Sequence, residues 1–358
     1  MKPEIIKKRV SAIRRTLNKK KITCLLLTNP ANVTYTTGFL GDDSWAIITN
    51  RGLWLLTDSR YTEQAQKQCP HSKIIKRTGP IAQAAAQLEK KLKSNKSETV
   101  ENSASLAAFE ALKKNLRTRI KTSENIIEDL RSIKDQSEIA AIKKAAQIAA
   151  SALKKTIRHI KPGITENELA GTLDFQIRKL AAVNSFPTIV AFGPNASLPH
   201  YQPAARKLKK NDTILIDFGA RYKGYCSDIT RCFAVGRPTA FYKKLVNAAE
   251  HAQAAALKMV KAGAQIKKVD AAARSVIAEH DLPVYGHGTG HGLGLQIHEA
   301  PTLAANIKGK LKAGNVITIE PGIYIPGKAG VRIEDDILVT KTGYKILSDS
   351  CPHRLLPY

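Results

Sequence analysis

TILIDFGARYKGYCSDIT, residues 213–230, reads as two strands around a tight turn, with an aspartate in each strand. Thr213 to Ile216 is an apolar run that Asp217 ends, and Asp228 interrupts the second run, Tyr225 to Thr230. Arg221-Tyr222-Lys223-Gly224 supplies the turn, with glycine at its last position. A turn centred between Tyr222 and Lys223 sets Asp217 opposite Asp228, on one face and with Cβ atoms about 5 Å apart. Two carboxylates that close, flanked by Ile and Phe, repel each other unless a cation or a shared proton lies between them.

A second pair follows. Glu320 ends Val316-Ile317-Thr318-Ile319, just before Pro321-Gly322, and Glu334 closes Val331-Arg332-Ile333 ahead of the apolar Ile337-Leu338-Val339. One acid at a strand end is an ordinary turn cap. Four in the same context stand out in a chain with 30 Asp+Glu against 57 Lys+Arg. Between the pairs lies GHGTGHGLG, residues 286–294, too rich in glycine for a helix. In an extended chain its two imidazoles, His287 and His291, share a face, and the glycines let backbone and ligand approach closely. Four carboxylates and one imidazole make a hard, oxygen-rich donor set. It suits two divalent cations such as manganese better than a tetrahedral structural zinc. Acids bridging such a pair hold the ions about 3.5–4 Å apart and generate a hydroxide at neutral pH.

Upstream of the first pair, Asp135-Gln136-Ser137-Glu138 is a capping box. The helix it opens has apolar residues at 139, 142, 146, 149, 153, 157 and 160 and stops at Lys161-Pro162-Gly163. Thr165-Glu166-Asn167-Glu168 starts a second helix in the same way, and strands follow at 187–192, 213–218 and 225–234. A third helix begins near Thr239 and ends at Lys261-Ala262-Gly263, a fourth covers about 266–280, and strands are expected at 315–319 and 331–339. The order helix, helix, strands occurs twice, which implies a duplicated α+β unit, although the halves show no residue-level repeat. Ahead of it, helical patterns at 3–20, 80–93 and 105–116 alternate with strands at 22–27, 45–49 and 53–57. That is a smaller α/β segment closing near residue 125.

A chain of 358 residues suits two domains. No apolar run approaches the length of a membrane span, and the basic amino terminus lacks the continuous apolar stretch of a secretory signal. Five dispersed cysteines without CxxC spacing fit free, packing thiols in a reducing compartment, so a cytoplasmic enzyme is expected. The formal charge of +27 raises the question of nucleic acid. The lysines are spread over the whole chain with no nucleic-acid-binding motif, and solvated faces are the simpler reading.

These residues resemble a known family, the metallopeptidases of the pita-bread fold, in their Xaa-Pro branch of aminopeptidase P and prolidase. The stretches that carry the resemblance are Asp217-Phe218-Gly219, Ser227-Asp228-Ile229-Thr230-Arg231, Gly290-His291-Gly292, Glu320-Pro321-Gly322 and Arg332-Ile333-Glu334-Asp335, with Leu130 to Lys134 and Asn32 to Phe39 upstream. The resemblance implies an N-terminal α/β domain over residues 1–126 and an α+β pita-bread catalytic domain over 127–358. It implies two divalent metal ions, with manganese favoured and cobalt or zinc as alternatives, on Asp217, Asp228, His291, Glu320 and Glu334. Asp228 and Glu334 would bridge, and Glu320 would also move the proton. His200 and His298 would steady the scissile carbonyl, His287 would line the substrate side, and Arg332 would orient Glu334. The substrate implied is a peptide with proline second, and the enzyme a homodimer. Two rival readings share the fold: a methionine aminopeptidase-like enzyme, and a basic module that binds nucleic acid or histones.

Overall fold

The computed structural model describes residues 3–92, 98–116 and 120–352. It divides into two compact units, Met1–Arg131 and Ser132–Tyr358.

The first unit is a six-stranded mixed sheet with helices around it. Its strands are β1 (Cys24–Leu27), β2 (Trp45–Thr49), β3 (Leu53–Thr57), β4 (Lys73–Lys76), β5 (Glu98–Glu101) and β6 (Ile120–Ser123), in the order β4-β3-β2-β1-β5-β6. The helices are α1 (Pro3–Lys19), α2 (Pro30–Thr37), α3 (Thr62–Gln68), α4 (Ile81–Leu92), α5 (Leu106–Asn115) and α6 (Ile126–Ser132). Residue 93, expected to end the fourth of these, lies outside the described residues. The core on one side of the sheet joins Leu26, Ile47 and Leu56 to Ala85 of α4 and Leu112 of α5. Strands β4, β5 and β6 and helices α2, α3 and α6 were not expected. Each is short, and the three strands carry at most two large apolar residues.

In the second unit the elements recur in two rounds. The first round is α7 (Gln136–Thr156), α8 (Glu166–Lys179), β7 (Val183–Asn184), β8 (Ile189–Phe192), β9 (Thr213–Phe218), β10 (Ala220–Tyr222), β11 (Tyr225–Cys226) and β12 (Ile229–Ala234). The second is α9 (Ala240–Met259), α10 (Ile266–Glu279), β13 (Gly290–Gly292), β14 (Glu299–Leu303), β15 (Val316–Ile319), β16 (Gly322–Ile325), β17 (Ala329–Arg332), β18 (Asp335–Val339) and β19 (Tyr344–Ile346). Both expected capping boxes form. The Asp135 carboxylate accepts from the N–H groups of Ser137 and Glu138, and Thr165 pairs reciprocally with Glu168. Each helix pair covers its own sheet. Leu153, Leu173 and Ile177 pack on Ile214, Ile216 and Phe233 in the first half, and Leu245, Val269 and Ile277 pack on Ile317, Ile319 and Ile337 in the second. Burying each such side chain stabilises by about 1.5–3 kcal/mol.

The halves repeat in their backbone, at an offset of one hundred around α8 and α10. Helices α8 and α10 have the same length, Gly163 and Gly263 both take the left-handed conformation (φ 96° and 86°), and so do Ala181 and Asp281 (φ 57° and 54°). The Gly163 N–H bonds to Leu208 O and the Gly263 N–H to Leu311 O, and Thr165 and Gln265 each form an isolated bridge, to Lys207 and Lys310. Few side chains are shared between the copies, so composition conceals what the backbone keeps.

Candidate metal centre

Strands β9 and β12 pair antiparallel with Thr230, not Asp228, opposite Asp217. The expected register is two residues off because the turn is centred one residue later. Lys223 and Gly224 both have positive φ (50° and 87°), a two-residue hairpin turn whose twist matches its strands. Asp228 falls in the break between β11 and β12, diagonal to Asp217 rather than opposite it. Its backbone N–H donates to both oxygens of the buried Asp336 carboxylate at 3.2 Å. Burial, then the repulsion of Glu334 and Asp217, hold the Asp228 acid well above its ordinary value.

The second half brings its acids to the same place. Glu320 leaves the end of β15 with its N–H on Thr289 O, and its carboxylate accepts from the Thr318 hydroxyl at 3.2 Å. Glu334 lies between β17 and β18, and its N–H bonds to Thr230 O in an isolated bridge that joins the two halves. Its Oε2 accepts from the fully buried Thr230 hydroxyl at 2.6 Å. Burial raises the acids of Glu320 and Glu334, and for Glu334 the repulsion of Glu320 adds to it.

His291 sits in β13 between two glycines for a steric reason. A Cβ on Gly290 would lie 2.0 Å from Thr318 O, and one on Gly292 would lie 2.3 Å from Ala300 O. The imidazole Nδ1 is 3.1 Å from Gly292 O. With the proton there, the Nε2 lone pair faces Glu320 Oε1 at 3.4 Å and Asp228 Oδ2 at 3.6 Å. Burial lowers the His291 pKa, which favours this neutral form. Asp228, His291 and Glu334 each offer one ligand atom within 4.8 Å of the others.

All nine residues singled out in the sequence line one cavity of about 580 Å³: Asp217, Asp228, His291, Glu320, Glu334, His200, His287, His298 and Arg332. Phe186, Pro187, Ile189 and Ile297 add an apolar wall. The His298 ring meets that of His291 edge-on, centroids 4.4 Å apart. Burial and the neighbouring His291 and His200 push its pKa down. His287 stacks on Tyr285 at 4.8 Å, and its Nδ1 lies 2.7 Å from Gly288 O. Its Nε2 then accepts from the Tyr324 hydroxyl at 3.1 Å.

Arg332 differs from expectation. Its guanidinium pairs directly with Asp217 and donates to Tyr324 Oη at 2.8 Å. It reaches Glu334 only through Thr230, to whose hydroxyl its Nε donates at 3.1 Å. The guanidinium thus holds Asp217 directly and Glu334 through Thr230. Thr230 and Tyr324 were not singled out from the sequence. The signal for Thr230 was there, since it lies two residues beyond Asp228 in a strand and shares its face. Tyr324 is brought in by a hairpin register that no local pattern specifies.

The donor chemistry fits divalent cations on an observation independent of any resemblance. Among the described residues Arg332 is the only permanent cation lining the cavity, against four carboxylates. Asp217 Oδ1 is buried there with no hydrogen-bond partner, which is costly for a carboxylate oxygen.

Comparison with known proteins places the chain. Residues 140–341 match metallopeptidase family M24, and residues 9–133 match the creatinase/prolidase N-terminal domain. An uncharacterized peptidase, YqhT of Bacillus subtilis, is 38% identical over 347 residues, covering 96% of this chain and 98% of its own. A solved Xaa-Pro dipeptidase from Bacillus anthracis superposes with a TM-score of 0.93 at 37% identity, covering 99% of this chain and 100% of that one. An X-Pro aminopeptidase from Thermotoga maritima does so at 0.88 and 34%, covering 96% and 100%.

Proposed function

The chain belongs to metallopeptidase family M24, and from that premise we propose that it hydrolyses the Xaa-Pro bond at the N-terminus of peptides or in dipeptides. The observation that carries this reading is the convergence of four carboxylates, three of them buried, and the His291 Nε2 on one cavity. The names of the dipeptidase and aminopeptidase relatives support the choice of an Xaa-Pro bond.

Asp217, Asp228, His291, Glu320 and Glu334 would hold two divalent ions. Manganese suits this donor set, and cobalt or zinc would also fit. When bound, the ions supply Lewis acidity and a nucleophilic hydroxide at neutral pH. Glu320 has a raised acid and a hydroxyl on one oxygen only, so its other oxygen is free to take a proton from water and pass it to the proline nitrogen. The His200 and His298 rings face the same cavity and would donate to the scissile carbonyl as negative charge grows on it. His287, fixed by Tyr324 and Tyr285, forms the wall beyond the acids. Arg332 holds Asp217 in place through their ion pair. The apolar wall of Phe186, Pro187 and Ile297 suits a pyrrolidine ring, which has no N–H to satisfy. A catalytic domain over 127–358, a homodimer and a cytoplasmic location belong to the same proposal. No helix among the described residues is long and apolar enough to cross a membrane.

Purified protein with manganese should release the first residue from Ala-Pro or from a longer Ala-Pro peptide, and Glu320→Ala should abolish release while the chain stays folded. Full activity of Glu320→Ala would overturn the assignment of roles. Salt-sensitive RNA binding without hydrolysis of any Xaa-Pro peptide would overturn the peptidase reading itself.

A further inference from the structure

The segment 192–204 carries His200 to the cavity from the end of β8, through a 3-10 turn at Gly193–Ser197. Its shape is held from beneath by one side chain, Glu166, the first residue of α8 and fully buried. Oε1 of Glu166 accepts from the Phe192 N–H at 2.8 Å and from Asn195 Nδ2 at 2.9 Å. Oε2 accepts from the Tyr201 hydroxyl at 2.8 Å and from the Ala204 N–H at 3.2 Å. Asn195 Nδ2 also donates to Tyr201 Oη at 2.7 Å, which closes the network. Burial and the facing carboxylate push the Tyr201 phenol up to about 12, so it remains a donor. All four partners come from this one segment: both of its ends, its 3-10 turn, and the neighbour of His200.

The repeat of the fold supplies the comparison. One hundred residues on, at the same first position of α10, stands Ile266, 3% exposed. The backbone there is bonded alike: the Glu166 N–H goes to Arg206 O and the Ile266 N–H to Gly309 O. The helix start therefore accepts an apolar side chain, and a fully buried carboxylate is not what it requires. A buried carboxylate is costly unless every lone pair is met. Here the first half meets that requirement with donors drawn only from the His200 segment.

We propose that Glu166 is a positioning residue for the reaction: its carboxylate sets the path of residues 192–204 and so the approach of His200 to the scissile carbonyl. This rests on the role given to His200 above. Glu166 touches no substrate. Replacing one oxygen with an amide NH2 turns a donor toward a backbone or phenol donor, and the segment has to shift to relieve the clash of hydrogens. A displacement of about 1 Å in a catalytic group costs on the order of 10²-fold in rate.

The test is a double-variant cycle on an Ala-Pro substrate with manganese. Glu166→Gln should lower kcat by about ten- to a hundredfold with bound manganese unchanged. In a His200→Ala background the same change should alter kcat less than about twofold, because its effect passes through His200. Tyr201→Phe deletes one of the four donors while keeping the ring. It should show a smaller loss that vanishes in the same background, so the cycle can be read even if Glu166→Gln does not fold. Equal losses in both backgrounds, or full activity of a folded Glu166→Gln protein, would overturn the proposal. Full activity of His200→Ala beside an inactive Glu320→Ala would remove the histidine this proposal acts through while leaving the peptidase reading in place.

Discussion

Arg231→Met is the substitution whose cost the structure bounds most closely. Arg231 is wholly buried beneath the acid cluster, where the two halves meet. Its Nη2 pairs with Asp335 at 2.6 Å, its Nη1 donates to Glu334 O at 2.6 Å and to Thr230 O at 3.0 Å, and its Nε donates to Pro352 O at 2.8 Å. Methionine fills most of the volume but leaves the Asp335 carboxyl in the core without the guanidinium, with the Ser348 hydroxyl and Gln253 amide among its remaining donors. Breaking a buried pair from one side costs about 3–5 kcal/mol. For a unit the size of Ser132–Tyr358, that lowers Tm by roughly 6–20 °C, at about 2–4 °C per kcal/mol. Thermal unfolding followed by circular dichroism, in chelator so that bound ions add nothing, measures it. Arg231→Met with Asp335→Leu should recover most of the loss, because removing both buried partners is often near neutral. A single variant within about 2 °C of wild type would refute the reasoning. So would a double variant whose loss is the sum of the two single ones.

Burial raises the acids of Asp228, Glu320 and Glu334, so without ions the folded chain keeps protons that the unfolded chain has released. Their contribution to stability is full below the ordinary carboxylate range and falls as pH rises toward the raised values. Divalent ions need the deprotonated acids, so the rise in Tm on adding manganese should grow between about pH 5 and about pH 8; a pH-independent rise would contradict this. Gly330→Ala would put a Cβ 1.7 Å from Ala196 O, which forces the 3-10 turn before His200 off β17. It should lower both Tm and kcat, and a fully active, equally stable variant would show that this approach is not tight.

What the sequence disclosed follows the range of the interactions involved. The helix starts were legible because Asp135 and Thr165 meet their partners three residues away. The acids were legible because a carboxylate inside an apolar strand is anomalous by itself. The hairpin register was misplaced by two because Lys223 adopts a left-handed conformation that lysine rarely signals. The direct partner of Arg332 was not foreseen because Asp217 lies 115 residues away, on another strand. The hundred-residue repeat was invisible for the opposite reason. It survives in glycine conformations and backbone bonds around α8 and α10, while Glu166 has become Ile266 and Ala170 has become Asp270.

The bridge between Thr230 and Glu334 has a consequence for how the molecule comes into being. Asp217 and Asp228 lie on one side of that seam, and His291, Glu320 and Glu334 lie on the other. A nascent chain that has finished only its earlier portion holds Asp217 and Asp228 but not His291, Glu320 or Glu334. The full set of donors then comes together late and all at once, when the seam closes.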